Sequence, residues 1–212
     1  KRRKDKWPPE REDDGPQTEL TPPKINEIIK TSDVLGSGQF GEVSKAHSKC
    51  SPAFHDASLL LASKTLFGNA SSVSEADFLR EANILWTLQP HPNIVKMFGY
   101  QEPNNAKRII TELCNMGELR KWLINSKYKT SDLYSICLDI AYGMKHMHDN
   151  DIVHRDLAAR NVLLASNDGH ITAKVSDLGL AQKMDEEDNG IKQYRETTQV
   201  LMPVRWLHPI SL

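Results

Sequence analysis

Apolar positions run along this chain with two different periods. Between Ile28 and Leu66 they fall in short runs broken by Gly, Ser, Pro and His, so that residues 31–35, 42–47 and 58–66 read as strands of a small antiparallel sheet. The period then changes. Phe78, Ala82, Leu85 and Trp86 share one face of a helix that Ser72 or Ser74 can cap, with Glu75 in the first turn, where the helix dipole favours an acid. That helix is expected to end near Leu88, before Pro90. Strand-like segments at 94–100 and 108–112 follow, then helix over 118–124 and 131–148. The chain thus passes from sheet-rich to helix-rich near residue 116.

Residues 1–24 break this patterning. They hold five of the eleven prolines and many charges of both signs, with almost nothing to bury, and are expected to form a disordered, juxtamembrane-like linker. Their opening Lys1-Arg2-Arg3-Lys4 has two readings: a solvated charge run, or the cytoplasmic flank of a membrane helix outside this sequence. Residues 25–212 read as one continuous fold. With 27 basic and 28 acidic side chains the net charge is −1, which gives no bulk attraction for nucleic acid. Cys50, Cys114 and Cys137 are odd in number and far apart, as befits reduced cytosolic thiols. Apolar stretches such as 59–62 fall far short of the roughly 18 residues that cross a bilayer, so the chain alone is expected to be soluble and cytoplasmic.

Four strings carry chemistry. Leu35-Gly36-Ser37-Gly38-Gln39-Phe40-Gly41-Glu42-Val43 sets three glycines between two strands, where backbone N–H groups can close over phosphate oxygens with no Cβ in the way. A dinucleotide site needs a helix directly after the third glycine, and a β-like run follows instead. Lys64 ends an apolar strand, and Glu81 lies on the next helix, where it can reach the lysine or sit on a solvated face. His154-Arg155-Asp156-Leu157-Ala158-Ala159-Arg160-Asn161 is the most specific string. Asp156 can accept the proton of an attacking hydroxyl, and the Asn161 carbonyl can bind a divalent cation. Sixteen residues further on, after the β-like 171–175, Asp177-Leu178-Gly179 can present a second oxygen ligand.

In this order, together with Pro203-Val204-Arg205-Trp206, the motifs resemble the protein kinase family, and its tyrosine kinase branch in particular, over roughly residues 30–212. The branch rests on Ala158 and Arg160 after Asp156, where serine/threonine kinases place a lysine two positions on. The Ala-Ala-Arg order and the basic tail resemble a receptor-type enzyme. The resemblance implies an α+β, two-lobed fold: a small β-sheet lobe with one helix at about 25–115, then a helical lobe at about 116–212. It implies catalytic roles for Asp156, Lys64, Glu81 and Arg160, and magnesium ligands in Asn161 and Asp177. Leu35, Gly36, Gly38 and Gly41 would cover ATP; Val43, Ala62 and Leu163 would sandwich its adenine; Glu112 to Cys114 would be the hinge, and Thr111 would guard the deeper pocket. Leu85, Met97, His154 and Leu178 would stack as a spine between the lobes. Tyr194 is the candidate phosphorylation site, its phosphate pairing with Arg155.

The implied cofactors are ATP and Mg2+, and the implied partners are tyrosine-bearing protein or peptide substrates and a trans-activating dimer. The implied site of action is the cytoplasmic face of the plasma membrane, reached through a parent-chain segment not present here. Two departures stand out. Leu178 replaces the family's usual Phe, and His208-Pro209-Ile210 stands where the family reads A-P-E, so the C-terminal lobe is expected to be incomplete. The apolar faces of 133–147 and of the Trp206 segment would then lose cover. Three functional readings follow: an active tyrosine kinase, a nucleotide-binding pseudokinase or scaffold, and a truncated interaction product without catalysis.

Overall fold

Alternation of apolar and polar side chains builds the first sheet. In the computed structural model, which describes residues 22–25, 28–38, 41–48, 60–66, 72–103, 106–186 and 192–193, β1 (Ile28–Gly38), β2 (Gly41–Ser48) and β3 (Leu60–Leu66) are successive antiparallel strands. β4 (Met97–Gln101) and β5 (Lys107–Glu112) complete a five-stranded sheet of order β1-β2-β3-β5-β4. Because successive strand residues point to opposite faces, Ile109 enters one core and its neighbour Ile110 another. Ile110 packs with Ala46 and Leu61, whereas Ile109 packs under α1 (Ser72–Thr87) with Phe78, Ala82 and Leu85. Trp86, assigned to the apolar face of α1 from its spacing, is only partly buried at the margin of that core.

The helical part begins with β6 (Gly117–Glu118) and α2 (Leu119–Asn125), followed by α3 (Thr130–Asp149). Asp132 accepts the Lys129 backbone N–H at 2.8 Å at the start of α3, where the helix dipole favours an acid, and His146 in the last turn meets Leu88 O at 3.0 Å. Gly143 lets α3 approach the N-terminal half closely: a Cβ there would lie 2.6 Å from the Asn93 carbonyl oxygen. After β7 (Ile152–Val153) comes a 3-10 turn at Ala159–Asn161, then the hairpin of β8 (Val162–Asn167) and β9 (His170–Val175). β6, β8 and β9 form a second, three-stranded sheet, and β10 (Gln182–Lys183) pairs with β7.

Three expectations change. The run 94–100 is a strand only from Met97; Ile94 makes an isolated bridge to Val175, and Asn93 donates its side-chain amide to Ala173 O at 3.1 Å. The Ile94 N–H closes a turn onto His91 O and the Val95 N–H goes to Val175 O, so neither donor enters the first sheet. β8 follows directly on the 3-10 turn, where the motif reading had hidden a strand. Residues 22–24, which composition places in the linker, are also joined to the sheet. Pro22 is buried, the Pro23 carbonyl accepts Tyr100 N–H at 3.0 Å, and Ile25 N–H donates to Tyr100 O at 2.8 Å, extending the sheet beyond β4. Proline lacks a donor but keeps an acceptor, and Lys24 adds an ion pair to Glu102 at 2.7 Å. Gly99 permits this contact, since a Cβ there would collide with Pro23 O.

On α3, Ile136, Gly143 and Met147 are buried, while Tyr134, Leu138 and Tyr142, four residues apart, are exposed. Trp206 lies outside the described residues. Among those described, no helix is long and apolar enough to cross a membrane.

Candidate active site

The register of the first sheet fixes Lys64. Val43 of β2 and Ile109 of β5 flank it in the ladder, and its amine reaches out to α1. Nζ donates to Glu81 Oε1 at 2.8 Å and Oε2 at 2.6 Å, and to Asp177 Oδ1 at 3.1 Å. Glu81 is 6% exposed, so the solvated-face alternative for it is excluded. Burial works against charge on Lys64, but Glu81 and then Asp177 outweigh it and hold the ammonium above its ordinary pKa. Partial burial likewise opposes ionisation of Asp177, yet the Lys64 charge and hydrogen bond, with the Gly179 N–H, keep its carboxyl below the usual range.

The second cluster sits on the loop after β7. Asn161 donates its side-chain amide to the Asp156 carbonyl at 2.8 Å and to Asp156 Oδ2 at 2.7 Å, while Arg160 pairs with Oδ1. A carboxylate has about four acceptor positions, so Asp156 keeps capacity for one more donor. The donor end of the Asn161 amide is committed, which leaves its oxygen as the acceptor end. His154, 1% exposed, accepts Asp156 N–H at Nδ1 and donates from Nε2 to Ser176 O at 3.1 Å. Burial pushes this imidazole's pKa down. Ser176 in turn gives its N–H and its hydroxyl to Asn161 O, both at 2.9 Å. The two clusters are therefore joined through the residue that precedes Asp177.

Backbone strain marks both loops. Arg155 and Asp177 lie in the left-handed region, with φ of 66° and 57°, a conformation that costs non-glycine residues energy and persists only where surroundings enforce it. Leu178 is 1% exposed and packs in the core that holds Leu85 and Met97.

The expected nucleotide residues occupy the sheet and its exit. Leu35 is exposed near the end of β1, Gly36 pairs with Val43, and Gly38 pairs with Gly41 across two positions outside the described residues. Ala62 is buried opposite Thr111. Glu112 turns its side chain away from the ladder: Oε1 accepts Lys96 N–H at 2.7 Å and meets Lys174 at 2.9 Å. Cys114 is buried, and this desolvation, with the Glu112 charge, pushes its thiol up to about 12. Leu163 is half-buried on β8, opposite Glu118. Tyr194 lies outside the described residues; Arg155 donates from Nη1 to Gln182 Oε1 at 2.9 Å.

Asp177 and Asn161 offer two oxygens of the type magnesium takes, and that ion completes its shell with waters and phosphate oxygens. The donor set fits. Two residues that meet the site, Ser176 and Arg80, whose Nη2 donates to Gly179 O at 3.0 Å, belong to no motif; a charged residue directly beside Glu81 is the one signal the sequence offers.

The model of the family described as protein tyrosine and serine/threonine kinase matches residues 29–212. The chain belongs to this family. As a kinase-family chain it has its α+β order of sheet lobe, helix and helical part. It is 35% identical over 186 residues to Ephrin type-B receptor 2 of Gallus gallus, 36% over 187 to Ephrin type-B receptor 1 of Gallus gallus, and 33% over 186 to Ephrin type-B receptor 4 of Homo sapiens. Each alignment takes in 87% of this chain but 18% of the relative. This kinase chain thus spans under a fifth of the length of the curated relatives it matches.

Proposed function

We propose that this kinase-family chain transfers the γ-phosphoryl group of ATP to tyrosine hydroxyls of proteins, as part of a receptor-type molecule acting at the cytoplasmic face of the plasma membrane. One observation carries the reading: a single ammonium, Lys64, ties Glu81 to Asp177, and Ser176 beside Asp177 is bonded to the loop that holds Asp156. Phosphoryl transfer asks a protein chiefly for positioning and neutralised charge, and these groups supply both.

Lys64, held by Glu81, aims its charge at the α- and β-phosphates. Gly36, Gly38 and Gly41, with Leu35, cover the nucleotide; Val43, Ala62 and Leu163 flank the adenine, and the backbone of Glu112 to Cys114 meets its edge beside Thr111. Asp177 and the Asn161 oxygen would hold Mg2+, whose charge neutralises the phosphate oxygens. Asp156, oriented by Asn161 and Arg160, takes the phenolic proton. The phenol oxygen bonds to the γ-phosphorus as the bond to the β,γ-bridging oxygen breaks, and ADP departs. Tyr194 of a second copy is a substrate of the same kind, its phosphate pairing with Arg155.

The test is calorimetry with ATP, with and without Mg2+, beside phosphorylation of a tyrosine peptide by the full chain and by Lys64→Met. Mg2+-dependent binding with turnover lost in Lys64→Met is expected. Binding without turnover selects a nucleotide-binding scaffold, and neither activity from a folded chain overturns the proposal.

A further inference from the structure

Glu81 and Arg80 are neighbours on α1, yet both reach the turn 177–179, about a hundred residues away in sequence. The Leu178 N–H donates to the Glu81 carboxylate. Arg80 Nη2 donates to Gly179 O at 3.0 Å in a half-buried contact. An acid and a base side by side on the helix therefore take the N–H of one residue of the turn and the C=O of the next. Lys64 closes the ring by bonding Glu81 and Asp177 together.

The turn is held at Ser176 by Asn161 O, at Asp177 by Lys64 and at Leu178 by its burial in the core. The Arg80 contact adds a polar attachment to α1 two residues after the strained Asp177 (φ 57°), on the far side of the carboxylate. The guanidinium suits the task, because its planar fork loses little entropy per hydrogen bond and stays charged at any working pH. The contact that ties Arg80 to the turn is with the Gly179 carbonyl, so its effect on Asp177 passes through the backbone.

We infer that Arg80 is a positioning residue that clamps α1 to the 177–179 turn, so that placement of the helix and placement of the Asp177 carboxylate for a divalent cation become one event. This rests on the reading of Asp177 as a cation ligand. With the clamp present, Mg2+ and nucleotide strengthen each other's binding; with it removed, Asp177 no longer arrives in register and that mutual strengthening falls.

The experiment is calorimetric titration of the full chain with ATP in excess Mg2+ and in chelator. Arg80→Met keeps the apolar stem and removes the donors, and Arg80→Lys restores charge and one set of donors. Arg80→Met should lower the Mg2+-dependent tightening of ATP binding by roughly fivefold or more, the lower end of coupling between sites. Its metal-free ATP affinity and thermal midpoint should stay near wild type, and Arg80→Lys should recover part of the tightening. Tightening equal to wild type in a folded Arg80→Met overturns the clamp. Should that variant not fold, Arg80→Gln is read by the same two outcomes. A wild-type chain that binds no ATP refutes the kinase reading instead, before the clamp is touched.

Discussion

Asn161 holds both the carbonyl and the carboxylate of Asp156 with a single side-chain amide, at 2.8 and 2.7 Å. The loop between them is closed at its ends, and the carboxylate cannot swing without breaking the amide's grip. Asn161→Asp would set two carboxylates at this distance. Both cannot ionise so close together, so peptide phosphorylation should fall by 10²-fold or more, the scale on which positioned proton acceptors act. Asp156→Asn should cost a similar factor in turnover while ATP affinity measured by calorimetry is retained.

Removing Lys64 strands a buried acid. Breaking a buried pair from one side costs about 3–5 kcal/mol because the remaining charge loses its compensation, and Glu81 is nearly inaccessible to water. Lys64→Met should therefore lower the urea midpoint as well as abolish turnover. Lys64→Met with Glu81→Leu should regain most of the stability and none of the activity, which separates folding from chemistry.

At the contact between α3 and the 90–95 turn, Gly143→Ala places a methyl 2.6 Å from Asn93 O and 3.1 Å from Val175 Cγ2. Asn93 O is already the acceptor for Val175 N–H at 2.9 Å, so the backbone cannot retreat without loosening that bond. Overpacking of this kind costs about 1–3 kcal/mol. Denaturant unfolding should show the loss, and an unchanged midpoint would mean that α3 moves freely at this point.

Stability should decline in mild acid. Burial, the neighbouring His146 ring stacked 4.3 Å away, and Lys174 together lower His91 to about 4. The folded pKa lies below the unfolded value of about 6.5, so between these pH values the unfolded chain binds a proton that the native chain refuses. Unfolding free energy is then flat above about pH 7 and falls as pH drops from 6.5 toward 4. The depressed His154 adds to the same slope. His91→Gln should make the decline shallower in urea titrations across this window without removing it.

Thiol chemistry distinguishes the two described cysteines. Cys114 is buried and its thiol is pushed up to about 12, whereas Cys137 is exposed on α3. The thiolate is the reactive form. Iodoacetamide at pH 8 should label Cys137 in the folded chain and reach Cys114 only after denaturation, as peptide mapping by mass spectrometry would show.

What the sequence disclosed was chemistry packed into short strings. Asp156 and Asn161 lie five residues apart, so one loop suffices to join them, and Glu81 had a helical face to stand on. Contacts that depend on distant segments were not visible. Nothing near Glu112 foretells that its side chain meets Lys174 of another sheet, and Arg80 finds Gly179 only once α1 lies over the turn. Composition misjudged Pro23 and Lys24 for the same reason: their partner, Tyr100, is 76 or more positions away, and an acceptor carbonyl leaves no trace in a count of prolines.

The bare backbone of Gly99 has a further effect on how this molecule meets others. An outermost strand with unoccupied amides invites a foreign strand to add to it, and here residues 23–25 already occupy that position beside Tyr100. A bulkier residue at 99 would evict them and uncover a sticky margin, so the smallest side chain in the alphabet keeps neighbouring copies from zipping together along this border.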